Sequence, residues 1–140
     1  MDCLFCKIVN KEILAEPIYE DDKMMALLDI HPRAPGHTMV IPKEHCEGIV
    51  NLPKDARAPF VEVIQKVILI LKKALNPDAF TIGINEGREA GQVIPHLHIH
   101  IIPRYKGDGG GSAHTVVDNP PKETLEEIAN KIKKKLENSK

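Results

Sequence analysis

The 140-residue chain has no tryptophan, two tyrosines, three phenylalanines and three cysteines, and neither sign of charge dominates: 19 Lys and Arg face 20 Asp and Glu, a net charge of -1. Without a basic excess there is no electrostatic footprint for nucleic acid, so any nucleotide partner is expected to be small. Long apolar runs are missing too. Val67 to Leu71 is bounded by Lys66, Lys72 and Lys73, far short of the roughly 20 residues that span a bilayer. The start, Met1 to Lys7, has neither a basic segment nor a long apolar one, so no secretion signal is expected. An odd cysteine count in such a chain points to reduced thiols and a cytoplasmic location, with metal binding or redox chemistry as the use of a close pair. The length suits one domain, 1–140.

What is present reads as an α+β chain. Pro17–Glu20 and Met24–Asp29 have strand character around an Asp21-Asp22 turn, and Thr38–Ile41, stopped by Pro42, makes a third strand. From Pro53 the period turns helical. Phe60, Ile64, Val67, Ile68, Leu71 and Leu75 form a stripe, with Val61, Val63, Leu69 and Ile70 off it, a width that leaves apolar surface for a second copy of the chain. Ala79–Asn85 and His96–Ile102 are the remaining strands, separated by a polar loop with Gly87, Gly91 and Gln92. Lys106–Ser112, with four glycines, reads as flexible. A second helix over about 120–138 carries Leu125, Ile128, Ile132 and Leu136 on one face.

The chemistry concentrates in Pro95-His96-Leu97-His98-Ile99-His100-Ile101-Ile102. Side chains alternate along a strand, so the three histidines share one face roughly 6.6–7 Å apart while Leu97, Ile99 and Ile101 enter the core. With 7 His in 140 residues, such a triplet arises by chance about once in 8,000 windows, which favours a site over coincidence. Imidazole can attack phosphorus through a ring nitrogen and donate to anionic oxygens. His98, flanked on both sides, is the natural nucleophile; its second nitrogen must then donate to a fixed acceptor, expected to be a backbone carbonyl.

This stretch resembles the signature of the histidine triad (HIT) superfamily of nucleotide hydrolases and transferases. Tyr19-Glu20-Asp21-Asp22, Leu28-Asp29-Ile30, Gly36-His37-Thr38 with Val40-Ile41-Pro42-Lys43, and Asn85-Glu86-Gly87 with Gly91-Gln92 follow in the family's order over about 3–110. The resemblance implies an antiparallel sheet of about five strands with one long helix, and a homodimer, while the C-terminal helix beyond this core rests on the apolar period alone. It implies cleavage of a P–N or P–O–P bond at the α-phosphate of a purine nucleotide through nucleotidyl-His98, without catalytic metal. His96, His100 and His37 would complete the catalytic group. Asp29 would accept from ribose, Leu28 and Ile30 would wall the base, and Asn85, Gly91 and Gln92 would line the phosphate pocket. Val93 stands where many amine-releasing members have Ser, and Ile102-Pro103-Arg104 is closer to the dinucleoside polyphosphate branch, so the branch stays open.

Cys3-x-x-Cys6 has a spacing that lets two thiolates share one ion. Family members with this motif imply His45 and His96 as the other ligands of a structural zinc site, with Cys46 as a rival. His31 and His114 read as loop residues. Two other functions compete with hydrolysis: a nucleotide-binding regulatory protein with negligible turnover, and a metal-binding protein using His96, His98 and His100, for which the same-face spacing is awkward.

Overall fold

The computed structural model describes residues 2–139. These form two compact units, one ending at Gly110 and one beginning at Gly111.

The first unit is built on a five-stranded sheet in the order β1-β2-β3-β5-β4: β1 (Pro17–Glu20), β2 (Met24–Leu28), β3 (Thr38–Pro42), β4 (Ala79–Gly83) and β5 (Ile99–Arg104). Every neighbouring pair is antiparallel. Asp21 makes the first turn: its Oδ1 accepts from the amides of Lys23 and Met24, and its Oδ2 from Tyr19 Oη–H. Strand alternation then sorts the core into two faces. Met24, Ala26, Val40, Ile99 and Ile101 share one apolar cluster with the long helix α2 (Lys54–Leu75), while Met25, Leu27 and Ile41 join Cys3 and Phe5 of the N-terminal segment on the other. Both faces of β2 are therefore covered, which is why its first four residues are all buried.

The helix buries Ala56, Phe60, Val63, Val67 and Leu71. Val63 thus belongs to the core and Leu75 is exposed, reversing the expected assignment of these two: the steps 4, 3, 4, 4 follow the 3.6-residue period more closely than a stripe continued to Leu75. Pro59 lacks an N–H and frees the carbonyl of Asp55; Lys23 Nζ donates to that oxygen at 3.4 Å and to Asp55 Oδ2 at 3.0 Å. Asn76 closes the helix in the left-handed conformation.

Three strands are shorter than expected, the second by its last residue, Asp29. The fourth ends at Gly83 rather than Asn85, and the last begins at Ile99, leaving His96 and His98 in an extended lead-in. The reason lies across the sheet. Val40 faces Ile99, so continued pairing would meet Pro42, which has no amide to give. The lead-in bonds elsewhere: Leu97 N–H donates to Cys46 O at 2.7 Å. The expected flexible stretch after Tyr105 begins as a hydrogen-bonded turn, since the Asp108 carboxylate accepts from the Arg104 guanidinium and from the amides of Tyr105 and Gly110.

The second unit holds α3 (Leu125–Glu137), started by a reciprocal capping box between Thr124 and Glu127. The helix begins later than position 120 because Pro120-Pro121 precede that cap. His114 sits in a short 3-10 turn.

Candidate active site

His96, His98 and His100 project toward the sheet face that carries the N-terminal helix α1 (Leu4–Val9), opposite the α2 face reached by Leu97, Ile99 and Ile101. They do not form one open row. Each imidazole is committed to a different neighbour, and those neighbours fix which nitrogen carries the proton.

His98 is 8% exposed. Its Nδ1–H donates to the carbonyl of His96 at 2.8 Å, which puts the lone pair on Nε2. That nitrogen has no protein partner. Among the described residues, no buried side-chain nitrogen or oxygen lacks one, so Nε2 opens to the surface, as an attacking atom requires.

His37 and His100 form a relay. The amide of Arg33 donates to His37 Nδ1 at 3.0 Å, so neutral His37 holds its proton on Nε2, which lies 2.9 Å from His100 Nδ1. His100 accepts there and keeps its own proton on Nε2. Burial pulls both imidazoles below the ordinary histidine pKa, while the Asp29 charge opposes the shift. Asp29 Oδ1 accepts from the His31 amide at 2.8 Å, and Oδ2 stands 3.4 Å from His37 Nε2. Asp29, His37 and His100 could pass for a second metal-ligand group. The Arg33 amide argues against it, because it occupies the His37 nitrogen whose protonation would free Nε2 for an ion.

Four of the six residues expected to meet substrate fall in two surface hollows. Leu28, Asp29 and His37 line one of about 480 Å³ together with the loop from Pro32 to Gly36. Gly91 and Gln92 line another of about 560 Å³ with Glu47, Gly87, Arg88, Val93 and Pro95. Ile30 and Asn85 line neither. Gln92 is wholly engaged with backbone: Oε1 accepts from Gly87 N–H at 2.9 Å, and Nε2 donates to Glu47 O and Ile94 O.

Cys3, Cys6, His45 and His96 bring their ligand atoms within 4.8 Å of one another. Nitrogen to nitrogen, His45 and His96 are 3.2 Å apart, and the Cys6–His45, Cys3–His96 and Cys6–His96 sulfur–nitrogen separations are 3.3, 3.4 and 3.6 Å. The edges of a tetrahedral zinc site are about 3.3 Å for N–N and about 3.6 Å for S–N, from Zn–N and Zn–S bonds of about 2.05 and 2.3 Å. The tautomer fits as well. His96 Nε2–H donates to Pro42 O at 2.8 Å, leaving Nδ1 as the lone pair aimed at the cysteines, the outer hydrogen bond expected of a metal-ligating histidine. Burial pushes the Cys6 thiol up to about 11, with the Cys3 sulfur as a further cause. Cys46 is buried in the α2 cluster and belongs elsewhere.

Three contributors escaped the sequence reading. The Arg33 amide and Pro42 carbonyl are backbone groups that any residue could supply. Phe5 was visible between the two cysteines, and its ring packs on both His96 and His98.

Fold and site together define a histidine-triad protein with a Cys₂His₂ group beside the triad. Comparison with known families agrees: the HIT domain model matches residues 10–107, and the chain belongs to that family. It is 50% identical over 107 residues to an uncharacterized HIT-like protein of Methanocaldococcus jannaschii, covering 76% of this chain and 82% of that one. To an adenosine 5'-monophosphoramidase of Schizosaccharomyces pombe it is 36% identical over 137 residues, 95% of this chain and 100% of the other. A crystal structure of a HIT family protein from Bacillus anthracis superposes with a TM-score of 0.84 at 36% identity, covering 99% and 97% of the two chains.

Proposed function

We propose that this chain is a nucleotide hydrolase that breaks a P–N or P–O–P bond at the α-phosphate through a covalent nucleotidyl-His98. The observation that carries this reading is the 2.8 Å bond from His98 Nδ1 to the His96 carbonyl, which leaves Nε2 as a preset nucleophile. In the first step the Nε2 lone pair forms a bond to phosphorus as the bond to the leaving amine or phosphate breaks; that group takes the electron pair and a proton. In the second, water attacks phosphorus and releases a proton to solvent that replaces the one the leaving group took up, the P–Nε2 bond returns its electrons to the ring, and a nucleoside monophosphate departs. His100 Nε2–H is the donor toward the phosphate or leaving group.

Around these steps Asp29 accepts from the ribose hydroxyls, Leu28 and Ile30 wall a purine base, and Asn85, Gly91 and Gln92 border the phosphates. Cys3, Cys6, His45 and His96 hold a zinc ion that pins the N-terminus, since four protein ligands leave it no open position. The exposed apolar residues of α2 and the edge strand β4 suit a homodimer. Three free thiols suit the reducing cytoplasm, and among the described residues no helix is long and apolar enough to cross a membrane.

The deciding experiment is turnover of adenosine 5'-phosphoramidate, an AMP–lysine conjugate and diadenosine tri- and tetraphosphate by the wild type and His98→Ala. AMP from the wild type alone, with the preferred leaving group naming the branch, is the expected result. If neither protein turns over any of them while the wild type binds AMP, the chain is a nucleotide-binding protein and the hydrolase reading falls.

A further inference from the structure

Phe5 lies one residue from Cys6 and two from Cys3, and is 2% exposed on the sheet face opposite α2. Its ring meets His98 edge to face, with centroids 5.2 Å apart and planes at 68°, and meets His96 at 5.7 Å and 86°. The His100 ring also meets His98, 5.1 Å away at 76°, and is itself held by His37. The nucleophile is thus flanked by two rings and bonded through one nitrogen to a carbonyl of its own segment.

A single hydrogen bond to a carbonyl two residues back leaves an imidazole free to swing about that bond. It can also flip, which would break that bond and put the Cε1 carbon where Nε2 had pointed. Ring contacts from Phe5 and His100 remove that freedom. We infer that Phe5 is a positioning residue for the nucleophile, its ring keeping the His98 imidazole in the one orientation that aims Nε2 outward. The placement explains why an aromatic side chain sits inside the Cys3-to-Cys6 turn: whatever anchors the two cysteines also anchors the wall behind His98. Edge-to-face pairs are modest interactions, but small displacements of a reacting group are costly. Loss of the ring is expected to lower kcat about 10-fold.

The inference concerns the hydrolase reading above, yet it has a readout of its own in the nitrogen-15 spectrum of the His98 side chain. The wild type is expected to show one neutral tautomer, with the proton on Nδ1. Phe5→Leu, which keeps apolar bulk without a ring, is expected to show both tautomers and a kcat about 10-fold lower with KM within about twofold. Phe5→Met serves the same comparison if the leucine variant does not fold. Met25→Ala, in the same core cluster, controls for general loosening and is expected to keep the wild-type tautomer and kcat. A single Nδ1–H tautomer in the Phe5 variants overturns the inference, as does a mixture in Met25→Ala. Absence of turnover in the wild type would sink the hydrolase reading alone, because the tautomer still reports whether Phe5 orients the ring.

Discussion

The Nε2 of His37 lies 2.9 Å from the Nδ1 of His100, and the direction of that bond is set from outside the pair by the Arg33 amide. A backbone N–H cannot accept, so the proton order runs one way through both rings to His100 Nε2. In the hydrolase proposed above, the buried His37 therefore acts through the tautomer of another residue. His37→Leu, which removes the donor, is expected to lower kcat by about 10- to 100-fold, the loss of about 1–3 kcal/mol for an orphaned polar group. His37→Gln, whose amide can still donate to His100, is expected to stay within a few-fold of the wild type. Single-turnover rates of the two variants make the comparison; equal losses would remove the relay.

The same two rings predict how stability follows pH. Burial sets the folded-state pKa of His37 and His100 below the ordinary 6.5, so as pH falls through 6.5 the unfolded chain takes up protons first. Stability is therefore full above about 6.5 and is lost as pH drops from there toward the folded-state values, by at most about 1.4 kcal/mol per pH unit per imidazole. Urea unfolding between pH 7.5 and 5 checks this, and His37→Gln is expected to flatten the slope. A midpoint that rises toward acid would contradict the assignment.

The Cys₂His₂ group predicts a linked proton. A Cys6 thiol pushed up to about 11 is protonated at neutral pH and must ionise to bind metal. Zinc added to chelated protein in weak buffer is expected to bind one ion per chain and release at least one proton, with Cys6→Ser losing the ion. Chelation is expected to lower Tm by at least about 3 °C, since a change of 1 kcal/mol moves Tm by about 3–4 °C in a chain of this size. Unchanged Tm and metal content in Cys6→Ser would remove zinc from the site.

Association is tested on α2. Leu69 is 65% exposed and Val61 55%, while β4, at one end of the strand order, carries the exposed Ile82. A lysine at Leu69 is expected to convert a dimeric wild type into a monomer by light scattering, with the circular dichroism of the fold retained. A monomeric wild type would leave this surface without the role proposed for it.

How much of this was legible depended on which atoms carried the information. The histidine triplet, the five strands and α2 were readable because side-chain chemistry and apolar period are written residue by residue. The start of β5 was not, since it depends on Pro42 lying across from the lead-in, a pairing that exists only after folding. Val63 and Leu75 exchanged places because an apolar helix offers several stripes and the sheet chooses among them. The proton order in His37 and His100 was invisible for a deeper reason: it is dictated by the amide of Arg33, a group that any non-proline residue there would supply.

Gln92 tests the largest difference between resemblance and geometry. The family pattern points its amide at phosphate oxygens, yet here Oε1 holds the Gly87 amide while Nε2 holds the carbonyls of Glu47 and Ile94. Those bonds join the loop after β4, the segment leading to His96 and the turn after Cys46, so the side chain fastens three stretches of backbone around one hollow. Each orphaned backbone group costs about 1–3 kcal/mol where water cannot replace the lost partner, and this exposed loop recovers part of that from solvent. Gln92→Ala is therefore expected to lower Tm by about 3–4 °C, equivalent to about 1 kcal/mol, and to speed hydrogen exchange at the Gly87 amide. A raised KM with Tm and exchange unchanged would instead mean that the amide leaves these bonds for the substrate, and that the fastening seen here is only its resting arrangement.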